Sequence, residues 1–367
     1  MYFCNVYYNF LQILPTYVVR RLPLRALVDI RLFLVYTYDK IFLQSLIDFE
    51  RFCMKFIGID IGGMTIKGGI VDENGIISTR KTIVTSPGKE DVLIVKDIAN
   101  LIEDLVVASG LQKSDFVGVG LGCPGSVYDE KGIVRYSCNI NFRNTPMAKM
   151  LADMTGIKNV KLSNDANCAA LAETMFGAGK GAKNSVMVTL GTGVGTGIVV
   201  DGKLLTGNRS AGAEGGHIQI NLGGVTCGCG KKGCYEAYAS ATALMNQIQS
   251  ACEKHPESLL AHEVEENGIS GKVVFDCAKQ DDKVSIAVIK RYIKYVGVGL
   301  VNFANIFFPE VIIIGGGISN QGNNIIKPLQ RYVSRNVYGA VYSPKIKVVA
   351  ATLRNDAGII GAAALCM

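Results

Sequence analysis

The sequence predicts an α/β protein whose folded part is built from two related halves. Three observations carry that prediction. From Met54 onward, short β-rich runs alternate with helical patterns, the signature of α/β domains. Two stretches, Asp60-Ile-Gly-Gly-Met-Thr-Ile-Lys-Gly-Gly-Ile-Val-Asp-Glu-Asn-Gly and Thr189-Leu-Gly-Thr-Gly-Val-Gly-Thr-Gly-Ile-Val-Val-Asp-Gly, repeat one plan of strand, glycine turn, strand and tight turn. Glycine, at 42 of 367 residues beside only 9 prolines, exceeds the usual share of about 7%, so it serves backbone turns and not flexible linkers.

The elements follow in order. Residues 1–53 contain none of the glycines but six of the 15 Tyr and six of the 14 Phe, and they match no recognisable module. Met54 could itself be a start. The uncharged opening is interrupted by Asn5, Asn9, Gln12 and Pro15 and lacks a cationic lead, so neither a membrane segment nor an export signal is expected. Strands are expected at 55–60, 65–71, 76–84, 116–122, 160–162, 185–190, 197–200 and 311–315, where apolar and β-branched runs are bounded by turn residues. Helices are expected at 91–109, 166–176, 240–252, 283–307 and 324–338, where apolar residues recur at helical spacing. Asn74-Gly75 and Asp201-Gly202 predict type I′ hairpins, because both central residues of that turn need positive φ. The expected division is a small α/β domain over 54–165 and a larger one over 166–367, with the last helix packing back on the small domain.

Charge and motif exclusions narrow the function. The 38 basic and 31 acidic residues leave +7 with no like-charge run, so no nucleic-acid or membrane-surface stripe is expected. No Walker loop is present. The GxGxxG spacing at Gly120 to Gly125 and at Gly228 to Gly233 opens a helix in neither place and is read as chance.

Other residues carry chemistry. The Gly62-Gly63 turn lets backbone N–H groups approach phosphate oxygens, while Asp60 at the strand end can hold Mg²⁺ directly or through water; a plain hairpin is the alternative. Gly191-Thr192-Gly193 occupies the same place in the second half, so two turns could clamp a triphosphate. Gly315-Gly316-Gly317 suits a base or ribose lying on backbone, or simply a tight strand-to-helix turn. His217, Cys227, Cys229 and Cys234 supply one imidazole and three thiolates, which fits tetrahedral zinc in a closed, structural site. An odd total of 11 cysteines without an export signal suggests a reducing cytoplasm. Asp165, after Asn164, is either a helix cap or a general base at a strand end. Glu214 and Glu236 flank the cysteine cluster, as acceptors for sugar hydroxyls or as solvated surface carboxylates.

The ordered set Asp60-Ile-Gly-Gly, Gly122-Cys-Pro-Gly125, Asn164-Asp165, Gly191-Thr-Gly193, Glu214-Gly-Gly-His217, Cys227-x-Cys229-x4-Cys234-Tyr-Glu236 and Gly315-Gly-Gly317 resembles the ROK family of sugar kinases and related repressors, most of all its bacterial glucokinase branch. The resemblance runs from Met54 to the C-terminus. It implies a two-domain actin-like (ribonuclease H-like) ATPase fold, with ATP, Mg²⁺ and structural Zn²⁺ as cofactors and a hexose as substrate. It implies Asp165 as the base for the sugar 6-hydroxyl, with Asn139, Asn164, Glu214, His217 and Glu236 on the ring hydroxyls. It assigns the nucleotide to Asp60, Gly62, Gly63, Met64, Thr65, Lys67 and the two later glycine turns. It further implies a cytoplasmic homodimer or homotetramer. Met64 stands where the family usually has Thr, so Thr65 is expected to supply the hydroxyl. A kinase for N-acetylmannosamine, N-acetylglucosamine or fructose is the near alternative. A sugar-sensing repressor is the distant one, since 1–53 lacks a helix-turn-helix pattern.

Overall fold

Strand β1 (Lys55–Ile61) opens an antiparallel meander with β2 (Thr65–Asp72) and β3 (Ile77–Val84), in a register that sets Asp60 opposite Lys67. The computed structural model describes residues 54–86, 88–137 and 140–367; the expectations for the 1–53 extension and for Asn139 lie outside the described residues. The expected type I′ turn at Asn74-Gly75 does not form. Only Gly75 is left-handed there (φ 78°), because the Asp72 carboxylate accepts the N–H groups of Asn74 and Ile76, both at 2.9 Å, and closes a wider loop.

Helix α1 (Asp91–Ser109) buries Ile94, Ile98, Leu101, Ile102 and Leu105 at helical spacing and stops at Gly110, which is left-handed. Strand β4 (Phe116–Cys123) then runs parallel to β1. A small antiparallel sheet of β5 (Ser126–Tyr128), β6 (Ile133–Tyr136) and β7 (Arg143–Thr145) follows, then α2 (Met147–Thr155). Strand β8 (Val160–Asn164) completes a mixed sheet of order β3-β2-β1-β4-β8 and leads straight into α3 (Asp165–Met175).

The second half repeats the arrangement. Strands β9 (Ser185–Leu190), β10 (Val194–Val200) and β11 (Lys203–Leu204) form a second meander, and here the two-residue turn has both Asp201 (φ 51°) and Gly202 (φ 76°) left-handed. Helices α4 (Glu236–Ala239), α5 (Ala241–Lys254), α6 (Leu259–Asn267), α7 (Gly271–Ala278) and α8 (Lys283–Phe307) precede β12 (Val311–Gly315), α9 (Asn323–Asn336), β13 (Lys347–Ala350) and α10 (Ala357–Ala364). The sheet order β11-β10-β9-β12-β13, antiparallel then parallel, is that of the first sheet strand for strand. The fold is therefore α/β with mixed sheets.

Each sheet has its own core. Ile57, Ile59, Ile70, Val119 and Leu121 pack with α1, whereas Val186, Val188, Ile312 and Ile314 pack with Leu244, Tyr292, Leu300 and Leu329 of the helical layer. Helix α10 lies against β1 and β4. A Cβ at Gly58 or Gly120 would strike the carbonyl oxygens of Ile359 and Ala362, so glycine is required for this approach. The short elements α2, α6, α7 and β5–β7 were not expected, since runs this brief carry little periodic signal. Among the described residues no helix is long and apolar enough to cross a membrane.

Candidate active site

A cleft of about 1050 Å³ opens at the carboxyl ends of the parallel strands. It gathers Asp60 and Lys67 from the first meander, Asp165 from the start of α3, the turn residues Gly191, Thr192 and Gly193, then Glu236, and Gly315, Gly316 and Gly317 after β12. Of the expected site residues, Gly62, Gly63, Met64, Thr65, Asn164, Glu214 and His217 do not line it.

The Asn164-Asp165 pair divides two roles that the sequence left open for one residue. Asn164 is the cap of α3: its side-chain oxygen accepts the Ala166 N–H at 2.9 Å while its amide donates to Gly125 O at 3.1 Å. Asp165 is the first helical residue and faces the cleft. Asp165 is open to solvent on the cleft side, yet the surrounding protein crowds its carboxyl, whose pKa is raised above the ordinary value, chiefly by desolvation and against the pull of the Ala166 N–H bond. Asp60 is raised as well, first by burial, with Lys67 opposing the shift and the negative field of Asp165 adding to it. The cleft floor thus carries two carboxylates near enough to feel each other, with one ammonium beside them. Gly358 at the start of α10 closes that floor, since a Cβ there would sit 2.5–2.8 Å from the Asp60 carboxylate.

The second glycine turn is held from outside. Ala241 N–H donates to Gly191 O at 2.8 Å, Thr242 Oγ1 to Thr192 O at 2.8 Å, and Val194 N–H to Glu236 Oε2 at 2.9 Å. A Cβ on Gly193 would collide with the same Glu236 oxygen. The other oxygen of Glu236 faces Cys227 Sγ at 3.6 Å, so this carboxylate joins the turn to the cysteine loop.

In that loop the ligand atoms of His217, Cys227, Cys229 and Cys234 lie within 4.8 Å of one another. Cys229 and Cys234 sulfurs are 3.7 Å apart, and Cys227 Sγ is 3.8 Å from His217 Nδ1. Four such donors around a tetrahedral zinc with Zn–S near 2.3 Å would have sulfurs about 3.8 Å apart, close to the Cys229–Cys234 spacing, so the chemistry of the donor set suits that metal. None of the three cysteines is paired in a disulfide. The surrounding frame is rigid: Tyr238 Oη accepts the Val225 N–H at 2.7 Å, and buried Tyr235 donates to Val296 O at 2.9 Å.

Glu214 is exposed and His217 half-buried. Their placement depends on Thr196, which donates to Ala213 O at 2.5 Å and accepts the Gly215 N–H at 2.9 Å, clamping the chain on both sides of Glu214. Several cleft residues escaped sequence reasoning, among them Glu173, Thr189, Ser319, Asn320, Arg354 and Asn355. Glu173 reads as a surface carboxylate on a helix, yet it is fully buried and accepts the N–H groups of Ala178, Thr352 and Leu353. Only the three-dimensional return of the chain reveals that.

The model of the ROK family matches residues 56–367. The chain is 40% identical over 319 residues to a glucokinase of Thermotoga maritima, covering 85% of this chain and 97% of that one. The solved ROK glucokinase of Streptomyces griseus, in complex with glucose and AMPPNP, shares 35% identity over 85% of this chain and 98% of its own, with a TM-score of 0.69. A ROK transcriptional regulator, a homologue of the E. coli MLC protein, is 27% identical over 86% of this chain and 78% of its own, with a TM-score of 0.75. With the motifs in order and the cleft assembled from both sheets, the match establishes that the chain belongs to the ROK family.

Proposed function

We propose that the protein is an ATP-dependent sugar kinase that transfers the γ-phosphoryl group to the 6-hydroxyl of glucose, with Asp165 as general base. One observation carries this reading above the others: Asp165 projects from the first turn of α3 into the same cleft as Asp60, Lys67 and two glycine turns. That is the equipment of in-line phosphoryl transfer, in which positioning and charge do most of the catalysis. The 40% identity to a glucokinase supports the choice of glucose.

In this mechanism the sugar oxygen attacks the γ-phosphorus, its proton passes to the Asp165 carboxylate, and the bond to the β–γ bridging oxygen breaks to release ADP. Asp60 is the residue placed to hold Mg²⁺, which would offset phosphate charge. The backbone of 191–193 and 315–317, with Lys67, holds the nucleotide, and by the family resemblance Glu236 holds the sugar from the cleft wall while Asn164, Glu214 and His217, which stand beside that wall, reach it from outside the lining. His217 turns Nδ1 toward the thiols. Zinc at His217, Cys227, Cys229 and Cys234 would act structurally, since four protein ligands leave no position open. The two sheets are the cores of two lobes of an actin-like ATPase, 54–165 and 166–367, that close on the sugar and exclude water. By the family resemblance the working unit is a homodimer or homotetramer.

The test is ADP release by the purified chain with glucose, fructose, mannose, N-acetylmannosamine and N-acetylglucosamine. Glucose-dependent turnover is expected, and Asp165→Asn is expected to lower kcat by about 10² to 10⁴. Turnover on an amino sugar alone would move the substrate within the class; sugar binding without turnover would favour a sugar sensor. The pH profile gives a second check. Asp165 must be ionised to take the proton, and its pKa is raised, so activity should be full at higher pH and fall as pH drops through a value above the ordinary Asp range of about 4. A kcat that stays flat down to pH 4 would remove Asp165 from the role.

A further inference from the structure

Arg354 lines the cleft and is one of eight non-glycine residues among the described residues with positive φ, at 50°. A side chain in that region is strained by contact of Cβ with its own backbone, and such residues persist where the surroundings over-determine them. Here they do so from both sides. Upstream, the buried Glu173 carboxylate takes the N–H of Thr352 at 2.8 Å and of Leu353 at 2.7 Å. Downstream, Asp356 forms a bidentate pair with Arg80 of β3, at 2.6 and 2.8 Å. The peptide from 352 to 356 is thus pinned at its ends, and Arg354 is the residue pushed out between the pins toward the cleft.

Charge gives the position a purpose. The charged residues lining the cleft are Asp60, Asp165, Glu173, Glu236, Lys67 and Arg354, four acids against two bases. Lys67 stands opposite Asp60 in the β1–β2 register and offsets that carboxylate's charge. Arg354 is therefore the second cation of the cleft available to an anionic ligand, beside Lys67, and it follows β13, just after which the Ala351 N–H bonds Ile314 O beside the 315–317 turn. We infer that Arg354 is a nucleotide-binding residue, its guanidinium engaging the phosphate chain of ATP, and that its left-handed backbone is retained for that contact. This rests on the kinase reading for its ligand and goes beyond it in naming the residue. A fork of N–H donors on a phosphate is a strong, charge-assisted contact.

The strain supplies an unusual test. Replacing Arg354 with glycine removes the Cβ contact, so the protein should lose nucleotide affinity without losing stability. For Arg354→Gly the expected results are an ATP Kd by calorimetry raised about tenfold, an unchanged sugar KM, unchanged inhibition by adenosine, and a Tm equal to or above the parent's. Arg354→Lys should fall between, keeping charge but losing the fork. A parental ATP Kd in Arg354→Gly overturns the inference, as does a lowered Tm with the affinity unchanged, which would mark a structural residue. Weakened adenosine inhibition overturns it too, by placing the contact on the base. If the parent binds ATP but phosphorylates no sugar, the kinase reading fails while the Arg354 comparison is still decided by Kd. A parent that binds no ATP overturns both.

Discussion

The two glycine turns are the same feature in topology and different features in anchorage. Each joins the first two strands of a sheet with the same strand order. The first is closed mostly by its own meander: Gly62 N–H bonds Thr65 O at 2.9 Å, Thr85 Oγ1 donates to Gly62 O at 2.7 Å, and Thr85 N–H bonds Met64 O at 2.9 Å. The second is held by another part of the chain, with Ala241, Thr242 and Glu236 all bonding to it. Only the second lines the cleft. A duplicated sheet has thus been used asymmetrically. One turn is tied only to its own meander through Thr65 and Thr85, while the other is linked through Glu236 to a four-ligand cluster.

The largest effect should come from breaking that link at its base. If a metal at His217, Cys227, Cys229 and Cys234 stiffens the loop that ends at Glu236, Cys234→Ser or exhaustive chelation should lower Tm by more than about 5 °C, since a structural zinc site contributes directly to folding. It should also raise the ATP KM through the loosened 191–193 turn. Thermal scans alongside metal content by mass spectrometry check this, and a metal-free protein with the parent's Tm and ATP KM would separate the cluster from the turn.

A smaller effect compares the two turns directly. Glu236→Ala removes a charge-assisted acceptor and strands the Val194 N–H, an expected cost of about 2 kcal/mol. Thr85→Ala removes one neutral hydrogen bond at the other turn, an expected cost of about 1 kcal/mol. Urea denaturation of both variants measures the pair. Equal costs would mean that the anchorage seen at the second turn adds nothing to its stability.

This asymmetry marks where sequence reading ended. The duplicated strand plan was legible because glycines and turn pairs repeat at matching places, and the two sheets share one order. The Asp201-Gly202 turn followed its local signal, and the Asn74-Gly75 turn did not, because a third residue, Asp72, captured two N–H groups. The metal-type cluster was legible since its spacing is local chemistry. Glu173, Thr196 and Arg354 were not, because what distinguishes each is a partner far along the chain: Thr352 for Glu173, Ala213 for Thr196, and for Arg354 the pinned ends of its own segment. Local propensity carries no record of such partners.

The smallest effect probes the first turn at its most exposed point. Met64 is 84% exposed and stands outside the cleft wall, so Met64→Thr should change stability by less than about 0.5 kcal/mol. If the first turn meets phosphate through its backbone, with Thr65 supplying the hydroxyl, the variant should shift the ATP KM by less than about threefold, below the worth of one hydrogen bond. Steady-state kinetics at saturating sugar decides it. A tenfold gain in ATP affinity would show that the side chain at residue 64 reaches the nucleotide. The first turn would then be as much a part of the phosphate clamp as the second, and the difference in anchorage would be one of rigidity alone.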